Sequence, residues 1–104
     1  MYNLKIGLTM ELSTNNNTIN ITGNIKSISD FQKIKSNTDV VVKEHKMINI
    51  KIIDSLSITS SVIGYFNKLV LKDNINIRMT IGNPQLMTLL EDLNLVSTFN
   101  ASKV

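Results

Sequence analysis

The run from Lys46 to Ile53 constrains this chain more than any other segment. Met47, Ile48, Ile50, Ile52 and Ile53 make it nearly continuously apolar, the pattern of a strand at the centre of a sheet. Its surroundings fix the class of sheet. Upstream, Tyr2 to Leu12 alternates at period two through Leu4, Ile6, Leu8, Met10 and Leu12, and Thr18 to Thr22 alternates through Ile19 and Ile21. The cluster Asn15-Asn16-Asn17 between them suits a turn, so the two segments read as a hairpin ended by Gly23-Asn24. Downstream, Ile75 to Ile81 alternates again.

Helical segments separate these strands. Ser29-Asp30 is a candidate cap for a first helix with Phe31, Ile34, Val41 and Val42 on its apolar face, although Ser36-Asn37-Thr38 is weak helix material. A second helix spans about Ser60 to Leu71 and buries Val62, Ile63, Phe66, Leu69 and Val70, with Asp73-Asn74 as its breaker. Asn83-Pro84 opens a third, with proline at the first helical position and Leu86, Leu89, Leu90 and Leu93 on its apolar side. The tail adds a short strand around Thr98 to Asn100. The order β-β-α-β-α-β-α predicts an α/β fold: a mixed sheet of four or five strands, right-handed crossovers, and helices packed mainly on one face. At 104 residues the whole chain, 1–104, reads as one domain.

Composition narrows the chemistry. There is no cysteine, so disulfides and thiolate metal sites are excluded. The one histidine, His45, lies in the polar run Lys43-Glu44-His45-Lys46 and reads as surface. The net charge of +3 comes from scattered lysines and one arginine, Arg78, without the basic stripe or stacking aromatics of a nucleic-acid binder. No apolar run is long enough to span a membrane, and the N-terminus lacks a signal-peptide core, so the expected location is cytoplasmic. No cofactor motif and no paired acid–base set is visible. The best case for an enzyme is Asp54 beside Ser60 and Ser61 at a strand's carboxyl end.

Three places carry a resemblance. Asp54-Ser55-Leu56-Ser57-Ile58-Thr59-Ser60-Ser61-Val62-Ile63-Gly64 is an apolar strand ending in Asp, a short loop, and a serine pair that opens a helix. Ile21-Thr22-Gly23-Asn24-Ile25 is a strand end with a glycine turn, and Asn83-Pro84-Gln85-Leu86 through Leu93-Asn94-Leu95 is a helix with a following step. In order and spacing these resemble the STAS family, the anti-sigma factor antagonist fold. The chain departs from that pattern at Thr59, where the family carries an acidic residue, and at Val62 and Asn94, where it carries glycine.

The resemblance implies a regulatory protein–protein interaction module and not an enzyme. Its partner would be a kinase-like anti-sigma factor or another signalling protein, released on phosphorylation of Ser60, with Ser61 as the second candidate acceptor. The alternative is a phosphorylation-independent adaptor, such as a small subunit bound to an ABC-transporter ATPase or a signalling scaffold. Ser57, Thr59 and Ser60 are all good helix caps, so capping alone also accounts for them. The expected docking surface comprises Asn24, Ile25, Lys26, Ser57, Ile58, Thr59, Ser60 and Ser61, with Ile25 and Ile58 as exposed apolar residues in turns.

Overall fold

A computed structural model describes residues 9–104. Its elements are β1 (Glu11–Asn15), β2 (Thr18–Thr22), α1 (Ile28–Glu44), β3 (Met47–Ile52), α2 (Ser60–Leu71), β4 (Asn76–Ile81), α3 (Pro84–Asp92) and β5 (Ala101–Lys103). One sheet orders the strands β1-β2-β3-β4-β5, with β1 antiparallel to β2 and every later pair parallel. The run of isoleucines is therefore the middle strand of five. Each parallel step moves one place in the same direction. With right-handed crossovers, that order puts α1, α2 and α3 on a single face.

The strand register shows how the alternation divides the sheet. Ile19, Ile50 and Met79 form one cross-strand row, and Ile21, Ile52 and Ile81 form the next. All six are fully buried beneath the helices, and each contributes about 1.5–3 kcal/mol relative to an exposed side chain. Shifting one residue along any strand reaches the opposite face, where Asn20, Lys51 and Thr80 make a row and Asn49 sits opposite Arg78. That face is mostly polar, with Met47 as an exposed apolar exception, and bears no helix.

The helices meet the sheet through Ile34, Thr38 and Val41 of α1, Val62, Phe66 and Leu69 of α2, and Leu86 and Leu90 of α3, all buried. Tyr65 fastens α2 to α1. Its ring meets Phe31 edge-on at 6.3 Å, and its hydroxyl donates to Asp39, which also pairs with Lys35 at 2.9 Å. Burial acts to raise the Asp39 carboxyl, but the hydrogen bonds from Tyr65 and Lys35 outweigh it and hold the group below its ordinary value. Burial, and then the same bond to Asp39, pushes the Tyr65 phenol well above its usual range.

Several expected boundaries move. Most of the segment Tyr2–Leu12 lies outside the described residues. The described strand runs on to Asn15, which pairs with Thr18, so Asn16 and Asn17 alone close the hairpin, with Asn16 at φ 56°. Helix α1 begins earlier than Ser29-Asp30. Ser27 is its cap, in a reciprocal box in which Asp30 N–H donates to the Ser27 hydroxyl and Ser27 N–H to the Asp30 carboxylate. The helix continues through Ser36-Asn37-Thr38 because Thr38 sits in the core and the Asn37 amide donates to the Lys33 carbonyl, in place of a competing turn. Ile75 precedes β4, and Leu93 caps α3 in an exposed position. The last strand is Ala101–Lys103, not Thr98–Asn100. Residues before it form turns that drive Phe99 into the core against Phe66, edge-on at 6.2 Å. His45 is half-buried as the residue ending α1.

Candidate functional site

All three crossover helices start where the parallel strands end, so their N-terminal turns gather at the carboxyl edge of the sheet. Two connections, residues 23–27 and 53–59, fill that edge, and they are tied to each other residue by residue. Gly23 N–H donates to Asp54 Oδ1 at 2.9 Å, the buried Ser55 hydroxyl donates to the Gly23 carbonyl, and Leu56 N–H donates to Asn24 Oδ1 at 3.0 Å. Gly23 is required here twice over. Its φ is 79°, and a Cβ on it would lie 2.4 Å from the Thr9 carbonyl oxygen.

This lacing decides which side chains reach the surface. Ile25 and Ile58, expected as exposed contacts, are buried at 1% and 8% exposure. Tied-down connections fold over the end of the sheet, and these two isoleucines close the core there. The apolar side chains that do project are Ile53, 45% exposed, Leu56, 50% exposed, and Ile28, 77% exposed. None of the three is among the expected contacts. For Ile28 a local signal exists, since Ser27-x-x-Asp30 is a capping-box spacing that places residue 28 in the exposed first turn. For Leu56 there is no local signal, because its outward position depends on the bond to Asn24, which lies 32 residues away in sequence.

At the start of α2, Thr59 is the cap and its hydroxyl accepts from Val62 N–H at 3.3 Å. The position where an acidic residue was expected thus supplies the cap. Capping accounts for Thr59 but not for Ser60 or Ser61, which follow it as exposed residues in the first helical turn. Ser57 is also exposed. Lys26, Thr59 and Ser61 line a groove of about 400 Å³ together with Ile28 and Phe31, between the N-terminal turns of α1 and α2. Asp30 stands behind Lys26. Its burial acts to raise its pKa, but the N–H groups of Lys26 and Ser27 donate to it and, with the adjacent Ser27 hydroxyl and the Lys26 charge, bring it below its ordinary value. On the other side of the connection, Leu56 borders a second groove of about 490 Å³ against α3.

Of the expected surface, Asn24, Lys26, Ser57, Thr59, Ser60 and Ser61 come together at one end of the molecule, and Ile25 and Ile58 lie beneath them. The Asp54 carboxylate is engaged by the Gly23 amide. Among the described residues no group of three His, Asp or Glu side chains is placed to hold a metal ion, and no helix is long and apolar enough to cross a membrane. Comparison with protein-family models, with curated proteins and with solved structures returns no match.

Proposed function

We propose that this chain is a regulatory protein-binding module of the STAS type, resembling an anti-sigma factor antagonist, and that it docks a kinase-like anti-sigma factor or a related signalling protein through the carboxyl edge of its sheet. One observation carries the reading: the connection that presents Leu56 is pinned by consecutive bonds from Asp54, Ser55 and Leu56 to Gly23 and Asn24, directly before the exposed Ser60-Ser61 turn. A half-exposed leucine on a loop held by these bonds loses little freedom on binding, which lowers the ordering cost of docking there. Four residues further along the chain, the Ser60 hydroxyl has no capping duty and is open to modification. Phosphate on Ser60 would add about −1.5 to −2 charges to that surface. The helix N-terminus tolerates the charge, while a partner fitted to a neutral hydroxyl is expelled.

One feature favours a second reading. Thr59 replaces the acidic residue expected before Ser60 and acts as a cap, which suits a constitutive adaptor, such as a subunit on a transporter ATPase or a signalling scaffold. Both readings use the same surface and differ in the phosphate. The test is mass spectrometry of the protein from its native cells, with partner binding by Ser60→Ala and Ser60→Asp. The switch predicts phosphate on Ser60, binding retained in Ser60→Ala and lost in Ser60→Asp. Phosphate found only elsewhere, or on no residue, leaves the adaptor. Unchanged binding on disruption of Leu56 removes both.

A further inference from the structure

Building on that docking reading, we propose that the α3 side of the surface receives a short cationic amphipathic helix of the partner, with its apolar side chains against Leu56 and Leu89 and its lysines or arginines against Asp92. The groove there is half apolar: Leu56, Pro84 and Leu89 supply hydrocarbon, and Gln85, Thr88 and Asp92 supply polar atoms. Its wall consists of two ridges of α3 at four-residue spacing, Pro84-Thr88-Asp92 and Gln85-Leu89. Those ridges run about 12 Å along the helix axis, enough to seat roughly two turns of a partner helix.

Charge selects the kind of helix. Within α3 there is no lysine or arginine, and Glu91 and Asp92 occupy the last turn, where the helix dipole is already negative. A cation is the stabilising choice at that end, so two acids there run against the helix's own preference. Among the described residues neither is paired: the ion pairs there are Lys35–Asp39 and Lys68–Asp73, and no cationic side chain lines the groove. Glu91 borders a separate hollow with Asn94, Val96 and Ser97, so in a chain of net charge +3 it is Asp92 that sets a carboxylate at the end of the apolar trough. A cationic amphipathic helix satisfies both features.

The probe is a fluorescein-labelled helical peptide of leucine and lysine, compared with a twin carrying glutamate in place of lysine. Both are titrated against the full chain by anisotropy and by amide NMR shifts. The lysine peptide is expected to bind more weakly as salt rises, to shift the amides of Leu56, Gln85, Leu89 and Asp92, and to lose about tenfold in affinity on Asp92→Lys. Equal binding of the glutamate peptide, shifts confined to other surfaces, or groove shifts that track protein concentration without peptide, the sign of a second copy, would each overturn the proposal. Circular dichroism checks that the variants fold. Partner binding then separates this inference from the reading beneath it. Loss on Leu56→Asp with none on Asp92→Lys rejects the cationic helix and leaves the docking surface standing; no loss on either rejects both.

Discussion

Two glycines in this chain predict opposite outcomes for the same substitution. Gly82 follows β4 with its N–H donating to the Ile52 carbonyl at 2.9 Å, and a Cβ on it would lie 2.1 Å from the Ile53 carbonyl oxygen and 2.8 Å from that residue's carbonyl carbon and Cα. The obstacle is backbone, not a movable side chain. To reach ordinary contact, the ends of β3 and β4 must part by about 1.5 Å. Overpacking of this kind costs about 1–3 kcal/mol, and weakening the Gly82–Ile52 bond adds about 1 kcal/mol. Gly82→Ala is therefore expected to destabilise by about 2–4 kcal/mol, or roughly 10–20 °C in Tm for a domain of this size. Gly64 stands exposed within α2 with nothing inside 4 Å of its virtual Cβ, so Gly64→Ala is expected to stabilise by about 0.5–1 kcal/mol through helix propensity alone. Urea unfolding followed by circular dichroism reads both, with midpoints moving apart at constant slope. A Gly82→Ala midpoint equal to that of the wild type would show that β3 and β4 do not close so tightly at the carboxyl edge, and the pinned geometry of residues 53–59 would lose its foundation.

The other predictions probe the core, the switch and acid stability. Thr38 is fully buried and its hydroxyl has no hydrogen-bond partner among the described residues, so the isosteric Thr38→Val should stabilise by about 1 kcal/mol in the same unfolding assay; a loss of stability would mean that the hydroxyl has a partner. Ser60→Asp, at the first position of α2, should leave the fold intact and raise stability by about 0.3–1 kcal/mol, separating loss of binding from loss of folding. Asp39 has a lowered pKa in the folded state, so its contribution is present above the unfolded carboxyl value of 3.8 and disappears as pH falls through the lower folded value. Thermal melts over that acid range should therefore decline less steeply in Asp39→Asn than in the wild type; parallel curves would mean that Tyr65 and Lys35 do not hold the carboxylate.

What the sequence reveals and conceals follows from the range of the forces involved. The middle strand, the limits of α2 at Ser60 and Leu71, and the start of α3 at Pro84 are set by local signals: an apolar run, a Thr59 cap, an Asn83 cap followed by proline. Helix α1 is harder to read, because Ser36-Asn37-Thr38 disfavours helix locally and the decision falls to the buried side of Ile34, Thr38 and Val41. The candidate site was legible as a place and misread in its side chains. Strand ends and serine-rich turns locate Asn24, Lys26 and Ser57 to Ser61, and the Ser27–Asp30 capping box exposes Ile28, but the burial of Ile25 and Ile58 and the outward position of Leu56 depend on bonds between residues 23–24 and 54–56 that no local pattern encodes.

The docking proposal places a protein partner on the carboxyl edge, and not on the open face of the sheet. Site-specific photocrosslinking in the native cells tests it most directly, with a photoreactive amino acid in place of Leu56 in one variant and in place of Arg78, on the open face, in another. Position 56 is expected to crosslink one defined protein, Ser60→Asp to abolish the adduct if phosphate is the switch, and position 78 not to capture the same protein. Capture of a defined partner from position 78 with none from position 56 would contradict the proposal.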